Sequence, residues 1–418
     1  MGRRTVTVPE AADHSETSPG VMSIADTAPA ESTSRTTQQT NMSPASTNIN
    51  SYFPFFFHLF SLDDIIRTIS NAVITDDKTF NITVSRNNMM ERGLAQWQRQ
   101  KKSSPSYPIK VTFLGEAGLD TGALRKEFFT GKVAGFEERF FESGPHGGRP
   151  KYSLSDLDKG HFRTVGEIIS ASLAQGGPPP NYLMLWCYRF LCTGSIDFEH
   201  MEKNDVGDEE YLDLLSRVET ATDTSIPDLT NEILNCGYTG QITIGRREEI
   251  TRAIVLHANL RLLPMLLQIR DGLKLYGLSD LMAKYLDVCQ PLFVPGLEMT
   301  ADADFVLSVC QAEYSETGTN QEKVEVMVMN HLQDFLQELE QESVMERDAL
   351  PSLSPKTFLQ WITGQGHLPV LKEERKHFNV SIKFNHHCEK DFGDHRICYP
   401  CVAACSNTIT LPVKHMTS

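Results

Sequence analysis

Chemistry concentrates in the last stretch of the sequence, Tyr399-Pro400-Cys401-Val402-Ala403-Ala404-Cys405-Ser406-Asn407-Thr408-Ile409-Thr410-Leu411-Pro412. Ile409 and Leu411 alternate with threonines, and alternation over so few residues reads as a half-buried strand. Cys405 then falls in the loop just before that strand. A thiol on a loop beside a rigid strand is accessible yet held in place, which a covalent nucleophile requires. Just upstream, His386, His387, Cys388, His395, Cys398, Cys401 and Cys405 lie close together. Cys398-x-x-Cys401 has the spacing of a zinc-ligand pair, so metal binding competes with nucleophilic catalysis for the same residues.

The elements that must position Cys405 carry a pattern of their own. Pro400, Cys405, Asn407, Leu411 and Pro412 resemble the C-terminal catalytic loop of the HECT-type ubiquitin ligases. That loop reads Leu-Pro, three or four variable residues, Cys-Phe-Asn, then Leu-x-Leu-Pro; Tyr399 and Ile409 are near substitutes. A distant segment, Tyr107 to Phe129, is similar to the same family. There the strand Ile109-Lys110-Val111-Thr112-Phe113 runs into a turn bearing Gly115, Gly118 and Gly122, then a helix with Leu124, Arg125, Glu127, Phe128 and Phe129. Val84-Ser85-Arg86, the Phe162 and Gly166 pair, and Phe358-Leu359-Gln360-Trp361-Ile362-Thr363-Gly364 resemble further family segments.

The resemblance covers roughly residues 76 to 418 and implies an α+β, bilobal HECT fold. On that reading residues 76–313 form a larger, mostly helical N-lobe, 314–320 a hinge, and 321–418 a small α+β C-lobe with the catalytic cysteine. It also implies an enzyme, a ubiquitin transferase. Cys405 would accept ubiquitin from a ubiquitin-conjugating enzyme as a glycyl thioester and pass it to a lysine of an unidentified substrate protein. Cysteine suits that relay because a thiolate is strongly nucleophilic and exchanges thioesters at little net cost. Asn407 and neighbouring backbone amides are the candidate polar partners of the thioester carbonyl. No metal and no cofactor is called for.

Departures from the family pattern leave alternatives open. Ala403-Ala404 replace a common His-Thr, Ser406 replaces Phe, and the sequence ends six residues after Pro412 where the family has a longer tail. These changes admit a catalytically weak pseudo-ligase that acts as a binding protein. A zinc-stabilised C-terminal module is the other alternative. Against zinc, Asn385 to His387 end a strand in the family pattern, and the second ligand pair lacks clean spacing. Cys398 and Cys401 as redox-sensitive neighbours, or as incidental thiols, complete the alternatives.

Composition narrows the class. Hydrophobic residues make up 40% and charged residues 22% of 418, as in an ordinary folded domain. A formal net charge of -15 argues against a nucleic-acid partner, which leaves a basic footprint. Nine cysteines, odd in number and scattered, with polar residues after Met1-Gly2-Arg3-Arg4, suggest reduced thiols and a cytosolic or nuclear protein. The apolar runs Phe53 to Phe60 and Tyr182 to Cys192 are too short to span a bilayer, so no membrane partner is expected.

Along the chain, residues 1–50 read as a disordered Ser/Thr-rich tether and 51–75 as an aromatic-rich lead-in. Ile82 and Val84 suggest a strand, Met89 to Gln98 a helix with Leu94 and Trp97. Asp120 or Thr121 is placed to cap the following helix. The glycines around them fit neither a Walker motif nor a dinucleotide fingerprint, since no Lys-Ser/Thr follows. Phe162, Val165, Ile169 and Leu173 mark a helix stopped by Gly176-Gly177-Pro178-Pro179-Pro180. Tyr182 to Phe190 reads as a buried helix with Cys187 and Cys192 as small core residues. The acidic stretch Glu209 to Gly237 corresponds by position to the family's subdomain for the conjugating enzyme. Glu248 to Leu275 is helical with a break at Pro264. Val324, Val328, Leu332, Phe335 and Leu339 form an amphipathic helix, and Phe378, Val380, Ile382 and Phe384 alternate as a strand.

Overall fold

In a computed structural model the described residues are 60–116, 122–144, 146–296, 301–345 and 353–414, with side-chain placement left out for a few of them. They belong to one compact unit, His58–Ser418. The expected tail at 1–50, the aromatic run at 51–59, and Gly118, Asp120 and Thr121 of the first turn lie outside them.

The first helix, α1 (Leu62–Asn71), opens on a capping box: the Asp64 amide donates to Ser61 Oγ while the Ser61 amide donates to the Asp64 carboxylate. Phe80, Ile82 and Val84 of β1 (Phe80–Val84) all point inward. The strand pairs in parallel with β2 (Ile109–Phe113) across a crossover containing α2 (Met89–Arg99). α3 (Ala123–Phe140) starts after Gly122, whose φ of 121° suits a residue without Cβ. Its cap position is therefore Gly122, later than either side chain expected to fill that role. β3 (Phe141–Gly144) and β4 (Gly147–Pro150) make a short antiparallel hairpin.

Next come α4 (Leu154–Asp158), α5 (His161–Ala174) and α6 (Leu185–Thr193). α6 begins later than the apolar run suggested. The Leu183 amide donates to the Phe293 carbonyl at 2.7 Å and the Met184 amide to the Gly148 carbonyl at 2.8 Å, so long-range pairing keeps these residues extended. Leu185 and Arg189 also face out, so the helix is buried on one side rather than all round. Cys187 and Cys192 are fully buried in the core.

α7 (Glu209–Thr220), α8 (Thr230–Asn235) and α9 (Arg247–Leu260) enclose a separate apolar cluster around Leu215, Val218, Ile233, Ile250 and Ile254. Pro264 lies in the first turn of α10 (Leu263–Gly272), where its missing amide costs nothing, and so divides the long helical pattern. Ile244–Gly272 is long and apolar enough by composition to cross a bilayer. In the fold, however, it is a broken pair of helices, one packed in the α7–α9 cluster and one against α5. That last crossing needs glycines. A Cβ on Gly166 would meet the Ile269 carbonyl oxygen at 2.2 Å, and one on Gly272 would meet the Arg163 carbonyl oxygen at 2.1 Å. Backbone therefore rests on backbone between α5 and α10.

α11 (Leu278–Lys284) and α12 (Leu286–Cys289) finish the first and largest apolar cluster. A third cluster follows, built from α13 (Ala303–Val309), β5 (Cys310–Ala312), α14 (Asn320–Met345), α15 (Pro355–Thr363), β6 (Val380–Asn385) and β8 (Thr408–Pro412). Between them lie α16 (Lys372–His377), α17 (Cys388–Phe392) and β7 (Cys401–Ala403). The sheet order is β5-β6-β8-β7, with the first three strands parallel and β7 antiparallel to β8.

Cys310–Ala312, expected in the N-lobe, pair into this sheet. Residues 314–320 join β5 to α14, and both belong to the third cluster. Cys310 pairs with Val380, and Ala303, Val306 and Val309 pack in the same core. The chain passes from the first cluster to the third between Val294 and Ala301, upstream of the expected hinge.

Candidate functional site

Cys405 sits at the tip of the β7–β8 hairpin. The last ladder pair is Ala403 with Thr408, leaving a four-residue connection that turns as a 3-10 helix at Ala404–Ser406. Asn407 closes the turn in the left-handed region, with φ 47° and ψ 47°. Asparagine tolerates that conformation better than most residues with a side chain. Ser406 Oγ donates to the Ala403 carbonyl at 3.2 Å and to Thr408 Oγ1 at 3.0 Å, stiffening the loop.

The tip is fastened to the sheet behind it. The Ser381 amide of β6 donates to the Asn407 carbonyl at 2.9 Å, and the Asn407 amide nitrogen donates to the Asn379 carbonyl at 3.3 Å. Ile409 and Leu411 are buried as the alternation predicts. Cys405 itself is exposed, and no described residue hydrogen-bonds its Sγ. The hairpin thus presents a thiol to solvent on a braced support. Asn407, expected to face a thioester carbonyl, donates its side-chain amide to the Asn379 carbonyl.

Behind this strand lies an apolar groove of about 640 Å³, with Leu332 and Phe335 of α14, Phe358 and Trp361 of α15, and Ile409 and Leu411 of β8 among its walls. Trp361 is 50% exposed there. Phe335 was expected on the buried stripe of α14, but Leu336 takes that place and Phe335 turns to the groove.

A charged residue that sequence reasoning overlooked lies on the same helix. Glu325 is 1% exposed. Its carboxylate accepts from the Ser315 amide at 2.6 Å and the Ser315 hydroxyl at 2.5 Å, and lies 2.6 Å from His386 Nε2. Burial pushes the carboxyl up, but the Ser315 and His386 contacts outweigh it and hold the group below its ordinary value. A signal was present, because Glu325 falls on the helical period of Val328, Leu332, Leu336 and Leu339. The connection after β5 is therefore tied to α14 and to the end of β6.

The seven clustered histidines and cysteines separate into different places. His386 belongs to Glu325, His387 is exposed, and Cys401 and Cys405 are exposed on β7 and the hairpin tip. Cys388, His395 and Cys398 do come together, with ligand atoms all within 4.8 Å of one another. His395 Nε2 is 2.6 Å from Cys398 Sγ, and His395 Nδ1 is 2.6 Å from the Gly393 carbonyl oxygen. Desolvation first, then the hydrogen bond with Cys388, raises the Cys398 thiol above its ordinary value.

No protein-family model matches the chain, and no curated protein matches it.

Proposed function

We propose that the protein is a HECT-type ubiquitin transferase that carries ubiquitin as a thioester on Cys405. The observation that supports this reading most is an exposed cysteine on a hairpin tip braced by two parallel strands, beside the motif residues Asn407, Leu411 and Pro412. In the proposed relay the Cys405 thiolate attacks the carbonyl of ubiquitin's terminal glycine on a conjugating enzyme. The conjugating enzyme's sulfur leaves as a thiolate and takes the proton that Cys405 gave up. A neutral lysine amine of the substrate protein then attacks the new thioester. An amide forms, Cys405 leaves as a thiolate, and the amine's surplus proton passes to solvent. No step calls for an oxidant or a metal. On the same resemblance, the α7–α9 subdomain receives the conjugating enzyme, and the first and third apolar clusters are the cores of the family's two lobes.

A binding-only reading draws on a different observation. No described group hydrogen-bonds the thiol, alanines occupy positions 403 and 404, and the Asn407 amide is committed to Asn379. A lysine chase separates the two readings. Protein charged with ubiquitin by activating and conjugating enzymes should lose its adduct when free lysine is added, with ubiquitinyl-lysine appearing. Failure to charge, or charging without discharge, would favour the binding role.

A further inference from the structure

We propose that Cys388, His395 and Cys398, completed by Cys401, form a structural zinc site that fastens the crossover between β6 and β8. Among the described residues this is one group of three metal-ligating side chains with all ligand atoms within 4.8 Å. Two thiols and an imidazole match zinc, whose closed structural sites are tetrahedral and built from cysteine and histidine.

The histidine is oriented as a ligand. A proton on His395 Nδ1 donates to the Gly393 carbonyl at 2.6 Å, which leaves the Nε2 lone pair facing Cys398 Sγ. A backbone carbonyl on the far ring nitrogen is the support that metal-bound histidines commonly have. Cys388 is fully buried yet belongs to none of the three apolar clusters. Residues 393–400 contain no helix or strand and expose Ile397 by 68% and Tyr399 by 77%. A metal crosslink would tie both ends of this segment to α17.

Cys401 supplies the fourth position. It follows Cys398 with the two-residue gap of a zinc knuckle and is exposed at the first residue of β7, where its thiol makes only a long contact of 3.9 Å to the Tyr399 carbonyl that a metal would replace. Binding one zinc ion then releases the three thiol protons, with His395 entering neutral. Cys405 lies outside the group, so metal and nucleophile do not compete. The inference does not rest on the transferase reading.

The test uses the full chain purified without chelators. Elemental analysis should find one zinc per chain, and removing it with a chelator should lower Tm. Cobalt(II) loaded in its place should give the visible absorption of a tetrahedral ion together with thiolate-to-cobalt charge transfer. Cys401→Ser should reduce that charge-transfer band by about one third, one thiolate of three. Cys398→Ser and His395→Ala should lose the metal, and Cys405→Ser should keep it. Well under one zinc per chain after reconstitution, or cobalt without thiolate charge transfer, overturns the site. Full metal retention by Cys398→Ser does the same, and an unchanged band in Cys401→Ser overturns the fourth ligand. The cobalt spectrum of the wild-type chain decides the matter even if a variant fails to fold.

Discussion

Asn407 donates its side-chain amide to the carbonyl of Asn379 at 3.3 Å, so the residue two places after Cys405 is held against the start of β6. Its backbone is left-handed, which costs an ordinary L-residue about 1–2 kcal/mol. We therefore assign Asn407 a conformational role in shaping the hairpin tip. Asn407→Gly should fold with stability within about 1 kcal/mol of wild type and should still accept ubiquitin. Asn407→Val should lose about 1–2 kcal/mol in urea unfolding, because a branched side chain resists that turn. A well-folded Asn407→Gly that cannot be charged would show that the side chain acts chemically.

Glu325 makes the third cluster sensitive to acid. Its carboxyl is held below the ordinary 4.5, so the folded state binds its proton later than the unfolded chain does. The stabilisation is present above about pH 4.5 and is lost as pH falls through the depressed folded value. Glu325→Gln should cost about 1–3 kcal/mol at pH 7, since the Ser315 donors and His386 lose a charged acceptor. It should also flatten the stability profile between pH 5 and the acid limit. Urea titrations of both proteins across that range check it, and parallel profiles would contradict the assignment.

Lys132 works in the opposite direction. It is fully buried on α3, donates to the Met90 carbonyl, and lies 5.5 Å from the Phe128 ring centroid. Burial lowers its ammonium to about 7. The cost of holding the charge is complete below pH 7 and is relieved as pH rises toward 10.5, where the unfolded lysine also deprotonates. Lys132→Met should raise stability by about 1–3 kcal/mol at neutral pH. A lower Tm in the variant would mean that the hydrogen bond to Met90 outweighs the desolvation cost.

Much of the fold was legible because local pattern and final environment agree. Ile82, Val84, Ile109, Val111, Phe113, Ile409 and Leu411 alternate in sequence and are buried in strands. Gly364 ends α15 in the left-handed conformation, and Pro264 divides α9 from α10, as their chemistry requires. What could not be read depends on distant partners. Cys310, Gln311 and Ala312 show no strand pattern and become β5 only by pairing with Val380, Ser381 and Ile382. That pairing places them in the sheet of the third cluster. Tyr182 and Leu183 have helical neighbours but are claimed by Gly148 and Phe293. At the candidate site, the exposed loop position of Cys405 was readable, whereas spacing could not tell which three of seven histidines and cysteines meet. The loop after α17 has no periodicity to reveal its path.

The most direct measurement is charging of the wild-type chain beside Cys405→Ala and Cys398→Ser, with activating enzyme, conjugating enzyme and ubiquitin. Products are separated with and without thiol reductant. Wild type should carry a ubiquitin adduct that reductant removes, Cys405→Ala should carry none, and any folded Cys398→Ser should carry one. A Cys405→Ala protein that charges as well as wild type would show that Cys405 does not carry the ubiquitin.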